Sequence, residues 1–497
     1  MAKILIIGGG VAGLTAGIYA LLDGHDAVIY EKNKAVGGAL CGWNRGEYHI
    51  DNCIHWLTGT TPHTAGYRMW ETVGALGNVP VYQGESLYTC AYEGERMSLY
   101  SDLERLEGDM LTRSPRDREE ILFFTRAVRE IQKMIGIGGT AHDEGWRGAE
   151  KIRALPSLYR YYRMTTGDLA TRFSDPLLRK FFVSLLTEAF GALAFLCVVA
   201  NYTGENGGIP VGGSVRMAER MKERFLSLGG ELHPGVGVTR LRTEGRRAVS
   251  AVLSDGTERV ADFFLPTTDP AVTFGTLLSR DMPPAWRARY RNPRTMRFSS
   301  YHAAFAADAA AVPFHGDFIL DILGKYRARL GASRTALREF SHETSFAPAG
   351  RTVLQTLTFC DEHRSEEFLK MRENPTAYLE EKRKISDIMQ TIICEKFPAL
   401  GKSLSFLDAW TPATYRRYLG SDIGSYMGFA FSSRVLPVTA SARIPGLANV
   451  ILATQWLQMP GGLPPAADAG RRAARTVSAL CGGRTVFPVP AVPAADA

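Results

Sequence analysis

The sequence contains few cysteines, and none of them are paired in a C-x-x-C spacing. Its seven cysteines, an odd number, are spread along 497 residues. This pattern argues against a disulfide framework. Because the chain also opens directly on an apolar strand, we expect no signal peptide and a location in the reducing cytoplasm. Zinc-ligand spacing, a Walker loop and a serine–histidine triad are also missing, so we expect no metal site.

Long apolar runs are scarce as well. The single candidate is 181–200, and Glu188 interrupts it near its middle. A membrane span needs about 20 predominantly apolar residues, so the run has borderline length. The internal carboxylate favours a pair of buried or cavity-lining helices over a membrane-spanning helix.

The charge balance is basic, with 58 Lys and Arg against 51 Asp and Glu and a net charge of +7. Arginines cluster beside aromatic residues at 159–163 and 286–298. Such a surface allows attraction to an anionic membrane or an acidic ligand. The sequence shows no nucleic-acid-binding module, so a solvated basic face is favoured and no nucleic-acid partner is expected.

The N-terminal stretch 3–31 carries the strongest motif. Gly8, Gly10 and Gly13 form G-x-G-x-x-G between an apolar run and a helical segment, and a second apolar run ends at Glu31. In this motif the glycines permit a tight turn, a close approach of backbone to a pyrophosphate, and close helix–strand packing. Glu31 follows Gly10 by 21 residues, the separation expected for a carboxylate that binds a ribose hydroxyl. The stretch therefore predicts a dinucleotide-binding unit.

Three later positions add further predictions, the first of them for the dinucleotide site. Gly37-Gly38-Ala39 follows the second strand and suits another backbone approach to a dinucleotide. His55 comes soon after this unit, and its position leaves a structural and a functional role equally open. Ser214 is expected to cap a helix over 215–228.

With further segments, the chain resembles the phytoene desaturase, carotenoid isomerase and retinol saturase group of FAD-dependent oxidoreductases. The resemblance covers nearly the whole length short of the tail. Besides the N-terminal unit, its segments are 207–214, 228–238, 253–270, 410–428, 450–453 and 460–464.

The resemblance implies an α/β fold. It consists of a three-layer, Rossmann-like FAD-binding domain built from discontinuous segments, with an inserted α+β substrate domain. The FAD-binding segments are expected at 1–85, 210–275 and 436–480. The substrate domain is expected at 86–209 and 276–435, with a disordered tail at 481–497.

FAD is the cofactor that the resemblance implies. The expected cofactor-binding residues are Gly8, Gly10, Val11, Ala12, Gly13, Glu31, Lys32, Gly37, Gly38, Ala39, Val238, Thr268, Gln455, Met459, Gly461, Gly462, Leu463 and Pro464. His55, His302 and Tyr426 are the candidate catalytic residues beside the substrate. The electron acceptor or donor is not identified by the sequence; oxygen, a quinone and a carrier protein all stay open.

Three functions are compatible with these expectations. The first is desaturation, saturation or isomerisation at C–C bonds of a large apolar, polyene-like or lipid-like substrate. The second is an amine-oxidase-like FAD enzyme with a polar substrate, and the third is a non-catalytic flavoprotein. The apolar stretch 181–200 favours the first. Since a large apolar substrate must come from a bilayer, peripheral contact with the inner membrane face is expected.

Overall fold

The structure is a computed structural model that describes residues 1–62, 64–138, 149–436 and 438–482. The predicted disordered tail lies, from residue 483 onward, outside the described residues.

The described residues form 21 strands. They are β1 (Lys3–Ile7), β2 (Asp26–Glu31), β3 (Gly42–Arg45), β4 (Tyr48–Asp51), β5 (Leu57–Thr58), β6 (Val81–Tyr82), β7 (Ser86–Tyr92), β8 (Glu95–Tyr100), β9 (Gly207–Pro210), β10 (Glu231–Pro234), β11 (Val238–Glu244), β12 (Arg247–Leu253), β13 (Glu258–Arg259), β14 (Phe263–Pro266), β15 (Thr295–Met296), β16 (Ser299–Asp308), β17 (Asp317–Asp321), β18 (Arg334–Glu339), β19 (Arg351–Cys360), β20 (Ser405–Trp410) and β21 (Ala430–Phe431).

The same residues form 16 α-helices. They are α1 (Val11–Leu22), α2 (Ala65–Thr72), α3 (Leu103–Arg113), α4 (Arg118–Gly138), α5 (Ala149–Tyr162), α6 (Thr166–Ala170), α7 (Pro176–Ser184), α8 (Ala192–Thr203), α9 (Gly213–Ser227), α10 (Pro270–Val272), α11 (Pro284–Arg291), α12 (Gly324–Leu330), α13 (Glu362–Met371), α14 (Pro375–Lys396), α15 (Pro412–Leu419) and α16 (Leu463–Leu480).

A parallel sheet of order β10-β2-β1-β14 organises one half of the molecule. Its central strand β1 is apolar and fully covered after its first residue, as expected for a parallel strand buried on both faces. On one face, side chains of α1, α9 and α16 pack against Ile4 and Ile6. On the other face, Leu5 and Ile7 pack against the antiparallel sheet β11-β12-β13. The predicted three-layer α/β fold is confirmed.

A seven-stranded mixed sheet of order β20-β16-β19-β18-β17-β7-β8 forms the second half. Its outer face, with residues such as Phe305 and Leu354, packs on α14 through Ile385 and Met389. Its inner face turns towards the first half and carries the polar groups described below.

The helices α3 to α8 pack around a separate core that includes Phe124, Phe181, Phe182 and Phe195. The apolar run 181–200 is divided between α7 and α8, and the Glu188 between them pairs with Arg334. Over the described ranges, no helix is both long enough and apolar enough to cross a membrane.

The division into domains stays a prediction. The boundaries 85/86 and 435/436 fall between elements, whereas 209/210 cuts β9 and 275/276 cuts the π-helical turn Thr273–Leu277. The prediction for Ser214 was wrong: Gly212 occupies the cap position of α9, and the Ser214 hydroxyl donates to Asp51 instead. A distant carboxylate thus replaced the local backbone as the partner of this hydroxyl.

Candidate functional site

Two glycine segments meet at the carboxyl ends of β1 and β2. Gly10 and Gly37 form a parallel bridge, and the Gly37 N–H donates to the Gly9 carbonyl at 2.8 Å. No described side chain caps the N-terminus of α1, so its first N–H groups, at Val11, Ala12 and Gly13, carry the positive end of the helix dipole without a side-chain acceptor. Such a terminus binds anionic phosphate.

Glycine is required at positions 10 and 13 for different reasons. A Cβ on Gly13 would lie 2.0 Å from the Gly8 carbonyl oxygen, so helix packing requires glycine there. A Cβ on Gly10 would meet no described atom closer than 3.8 Å, and its φ of −73° suits any residue. Protein packing therefore does not explain Gly10, whereas the close approach of a pyrophosphate does.

Glu31 is fixed at the end of β2. Its side chain is buried, with 5% exposure. One carboxylate oxygen accepts from the Gly9 N–H at 2.8 Å, and the other accepts from the backbone and side-chain N–H groups of Asn33. The carboxylate is thus held beside the glycine loop, as a ribose-binding role requires.

The side chain of Lys32, the neighbour of Glu31, points away from the glycine loop and contacts helix α15. Its ammonium donates to the Arg417 carbonyl at 3.0 Å, at the C-terminal end of α15. Burial lowers the pKa of Lys32. Its predicted contact with the cofactor stays a prediction.

The C-terminal motif forms another wall. The Gln455 amide accepts from the Gly462 N–H at 2.8 Å and donates to the Tyr426 carbonyl at 3.1 Å. Gly461 donates to the Phe429 carbonyl, and α16 begins at Leu463 and Pro464 without a described side-chain cap. Gln455 therefore joins the motif to the segment that carries Tyr426.

Two buried hydroxyls in this region have no hydrogen-bond partner among the described residues. They are Ser425 Oγ, beside Tyr426, and Thr454 Oγ1, beside Gln455. Buried polar groups are normally paired, since an unpaired one costs about 1–3 kcal/mol. Unpaired hydroxyls on this wall fit a site that binds a polar cofactor.

The remaining cofactor candidates lie on these or neighbouring segments. The Ala39 carbonyl accepts from the Asn52 side chain at 3.1 Å. The Thr268 hydroxyl is paired with Thr273 at 2.7 Å, Val238 begins β11, and Met459 is buried just before the glycine motif. Their direct contacts with a cofactor stay predictions.

A hydrogen-bonded network runs from the glycine loop to the inner face of the large sheet. The Tyr415 hydroxyl donates to Asn52 at 2.9 Å, accepts from the Trp410 indole at 3.0 Å and lies 3.1 Å from His302 Nε2. His302 stacks on Trp410, with ring centroids 4.5 Å apart. Because Asn52 also bonds to Ala39, the network couples the predicted flavin loop to a catalytic candidate.

His55 lies beside a buried ion pair. The Arg338 guanidinium donates to both oxygens of Asp317, at 2.5 and 3.0 Å, and to the Ile54 carbonyl at 3.0 Å. Asp317 is 3.9 Å from His55 Nδ1. Burial alone would raise the pKa of Asp317, but Arg338 and His55 hold it at about 2.

A small cavity brings His55 and His302 together. Its walls also include Asp51, Arg338 and Gln355. Burial lowers the pKa of His55, assisted by the Arg338 charge, and burial lowers that of His302 well below its usual value. Both imidazoles are therefore neutral at neutral pH. Tyr426 lies outside this lining, in an aromatic cluster with Phe298.

The sequence assigned no functional role to Asp317, Arg338, Gln355 or Tyr415, although Tyr415 lies in the resemblance segment 410–428. The first three are adjacent only because β17, β18 and β19 pair in one register, Asp317 with Arg338 and Arg338 with Gln355. The available signal was a glutamine within the apolar alternation of 352–360, which is too common to identify a site alone.

A parallel sheet with a glycine loop at its carboxyl edge, joined to a second sheet that faces it, is the arrangement expected of FAD-dependent oxidoreductases. Residues 11–478 match the sequence model of the flavin containing amine oxidoreductase family, and the chain belongs to this family. The cofactor is FAD, and the protein is an oxidoreductase.

Relatives at low identity bear carotenoid names. The chain is 22% identical to prolycopene isomerase of Daucus carota, over 85% of this chain and 71% of that protein. It is 23% identical to the lycopene-forming phytoene desaturase of Paracoccus sp., over 60% of each. These relatives confirm the resemblance to carotenoid-type FAD oxidoreductases.

Solved structures share the fold. An oxidoreductase from Methanosarcina mazei is similar with a TM-score of 0.62 and 15% identity, over 96% of this chain and 100% of that one. Putrescine oxidase with bound putrescine is similar with a TM-score of 0.58 and 14% identity, over 96% and 99%. At this identity the likeness establishes the fold alone.

Proposed function

We propose that this enzyme acts on C–C bonds of a large apolar substrate of the polyene or lipid type, by desaturation, saturation or isomerisation. The observation that carries the proposal is an aromatic cluster beside the C-terminal glycine motif. Phe298 packs against Phe190 at 5.4 Å, Phe359 at 5.3 Å and Tyr426 at 6.0 Å between ring centroids.

This cluster is joined to the cofactor half. Tyr426 contributes its ring to the cluster and its carbonyl to Gln455, which bonds to Gly462. Aromatic surface offers dispersion contacts and a dry environment to an apolar chain. The carotenoid names of the relatives support the same substrate class.

When bound, FAD would supply hydride transfer. The protein binds the cofactor and the substrate, orients them and excludes water from the site. In this proposal the aromatic cluster holds the apolar chain. His55 and His302 face the substrate from the cavity as neutral imidazoles, and Tyr426 contacts it from the cluster.

The test uses the FAD-loaded enzyme and polyenes dispersed in liposomes, under anaerobic and aerobic conditions. Absorbance of the bound flavin reports its reduction, and chromatography of the extracted polyene reports new, lost or isomerised double bonds. We expect new, lost or isomerised double bonds in at least one of the polyenes. Flavin reduction by simple amines, with no change in any polyene, would overturn the proposal in favour of a polar substrate.

We also propose that the enzyme is cytoplasmic and binds the membrane surface reversibly. Its cysteines are all free thiols. On one surface the exposed Leu436 and Val438, 62% and 57% exposed, lie beside α11, because Arg289 donates to the Val438 carbonyl at 2.7 Å. The exposed arginines next to them are Arg287, Arg291 and Arg294.

Arg297 does not belong to this basic surface, contrary to the expectation for 286–298. It pairs with Glu362 and Asp422 and its side chain is only 12% exposed. Each exposed basic residue near an anionic membrane contributes about 1 kcal/mol, so three arginines give roughly 3 kcal/mol at low salt.

Vesicle flotation at low and high salt tests the membrane proposal. We expect binding to anionic vesicles that salt weakens, weak binding to neutral ones, and loss of binding when Arg287, Arg291 and Arg294 are replaced by Gln. A control with the same charge change replaces three exposed arginines elsewhere, Arg240, Arg246 and Arg259. Equal recovery in the soluble fraction under all conditions would refute it.

A further inference from the structure

The cavity between the two halves contains an unpaired donor. Gln355 is 7% exposed, lies in the lining of the cavity, and its amide nitrogen has no hydrogen-bond partner among the described residues. A buried, unpaired amide normally destabilises a protein. Its presence at the wall of this cavity indicates a ligand atom that accepts its hydrogen bond.

The neighbours of Gln355 determine the charge of that ligand. Arg338, beside it in the sheet, is neutralised by Asp317. Asp51, a carboxylate in the lining of the cavity, accepts from the Ser214 backbone and hydroxyl and from the Cys53 N–H. With both histidines neutral, the cavity has no uncompensated positive charge for an anion, and it offers donors to a neutral oxygen acceptor.

The inner face of β19 runs from this cavity to the aromatic cluster. β19 pairs with β16 in one continuous register. Every second side chain therefore lies on the same face of the sheet, which places Gln355, Leu357 and Phe359 together on the inner face. At about 3.3 Å per residue, Gln355 and Phe359 are roughly 13 Å apart along the strand. A polar end and an apolar binding surface therefore lie on one face of one strand.

We infer that the cavity binds a neutral oxygen function, a hydroxyl or a carbonyl, at the end of an otherwise apolar substrate, with Gln355 as its hydrogen-bond donor. This inference rests on the proposed apolar substrate class and narrows it to oxygen-terminated chains. Gln355 is a specificity residue in this assignment.

The test compares two probes with matched isoprenoid chains, farnesol and β-farnesene, by titration of the FAD-loaded enzyme and the absorbance change of the flavin. One net hydrogen bond corresponds to a preference of about 3- to 10-fold, so farnesol should bind that much more tightly. Gln355→Leu should bind both probes equally, with the affinity for β-farnesene unchanged.

Stability separates this role from a structural one. Gln355→Leu should unfold at the same or higher urea concentration than the wild type, because it removes an unpaired buried amide. The control is Gln132→Leu, since the Gln132 amide donates to Thr203 at 2.8 Å; it should lose stability and keep the preference for farnesol.

Each outcome decides the matter. Equal affinity of the wild type for both probes overturns the inference, with water as the occupant of the cavity, and leaves the apolar substrate class standing. A preference retained by Gln355→Leu also overturns it. Binding of neither probe overturns the apolar substrate class and this inference together.

Discussion

Replacing Gly10 by alanine should abolish FAD binding without disturbing the fold. The new Cβ would lie 3.8 Å from the nearest described atoms, the Gly37 carbonyl oxygen and the Gly38 Cα, which is ordinary van der Waals contact. Gly10 has φ −73° and ψ −178°, an extended conformation open to alanine. The methyl group instead enters the space in front of the α1 N-terminus, where a pyrophosphate approaches the backbone.

For the apoprotein, we expect Gly10→Ala to change the free energy of unfolding by close to zero. Alanine at a compatible position gains about 0.4–1 kcal/mol by restricting the unfolded chain. Alanine is a poorer helix N-cap than glycine, at a cost of roughly 0.5–1 kcal/mol. The two terms cancel, whereas a ligand at 100 times its Kd stabilises a protein by about 2.7 kcal/mol. The variant should lose only this last term.

Gly13→Ala is the matched control. Its Cβ would lie 2.0 Å from the Gly8 carbonyl oxygen, so α1 must move away from β1, and overpacking of this kind costs about 1–3 kcal/mol or more. Flavin absorbance per protein and the apoprotein melting temperature are measured for both variants. Wild-type flavin content in Gly10→Ala would refute the reasoning, as would a large fall in its apoprotein melting temperature.

Four further outcomes follow from the site. Glu31→Ala should lower flavin retention and, by leaving buried donors unpaired, cost about 2–4 kcal/mol in urea unfolding; full flavin at equal dilution would exclude the ribose role. His55→Ala should lower turnover more than flavin content, and joint loss of flavin and stability would make His55 structural. Tyr415→Phe should keep its flavin but lose about 1–3 kcal/mol of stability, because its hydroxyl is at the centre of a buried network; unchanged urea midpoints would contradict this. His302 should make the protein less stable in acid, because its pKa is lowered in the fold and the unfolded chain binds the proton first. At pH values below 6.5 the free energy of unfolding should decrease by up to about 1.4 kcal/mol per pH unit. A second loss should come as the pH falls from 3.8 towards the pKa of about 2 of Asp317; a pH-independent urea midpoint between 7 and 5 would exclude a buried neutral His302.

The cofactor half could be predicted from sequence because its signals are local. The strand, the three glycines, the helix and Glu31 follow each other within 29 residues, and each acts on its immediate neighbours. Ser214 shows the limit of that approach. As a serine just before a helical segment it predicts a cap, but Asp51, 163 residues away, accepts its hydrogen bond.

The cavity could not be predicted for a related reason. Its chemistry depends on the register of β17, β18 and β19, which places Asp317, Arg338 and Gln355 in one row. A shift of one residue would turn each side chain to the opposite face. Sequence alternation predicts that such strands exist, but not which residues meet across them.

The parallel sheet also constrains the order of events during synthesis. Ile4 of β1 pairs with Phe263 of β14, and at about 5–20 residues per second the ribosome delivers that partner roughly 10–50 s later. Until then β1 presents an open edge, which is prone to wrong pairing. The apolar face of α1 stays exposed for longer still, because the helix that covers it, α16, is complete only at Leu480. Nascent chains truncated before α16 should therefore depend on chaperones and fail to reach a stable fold.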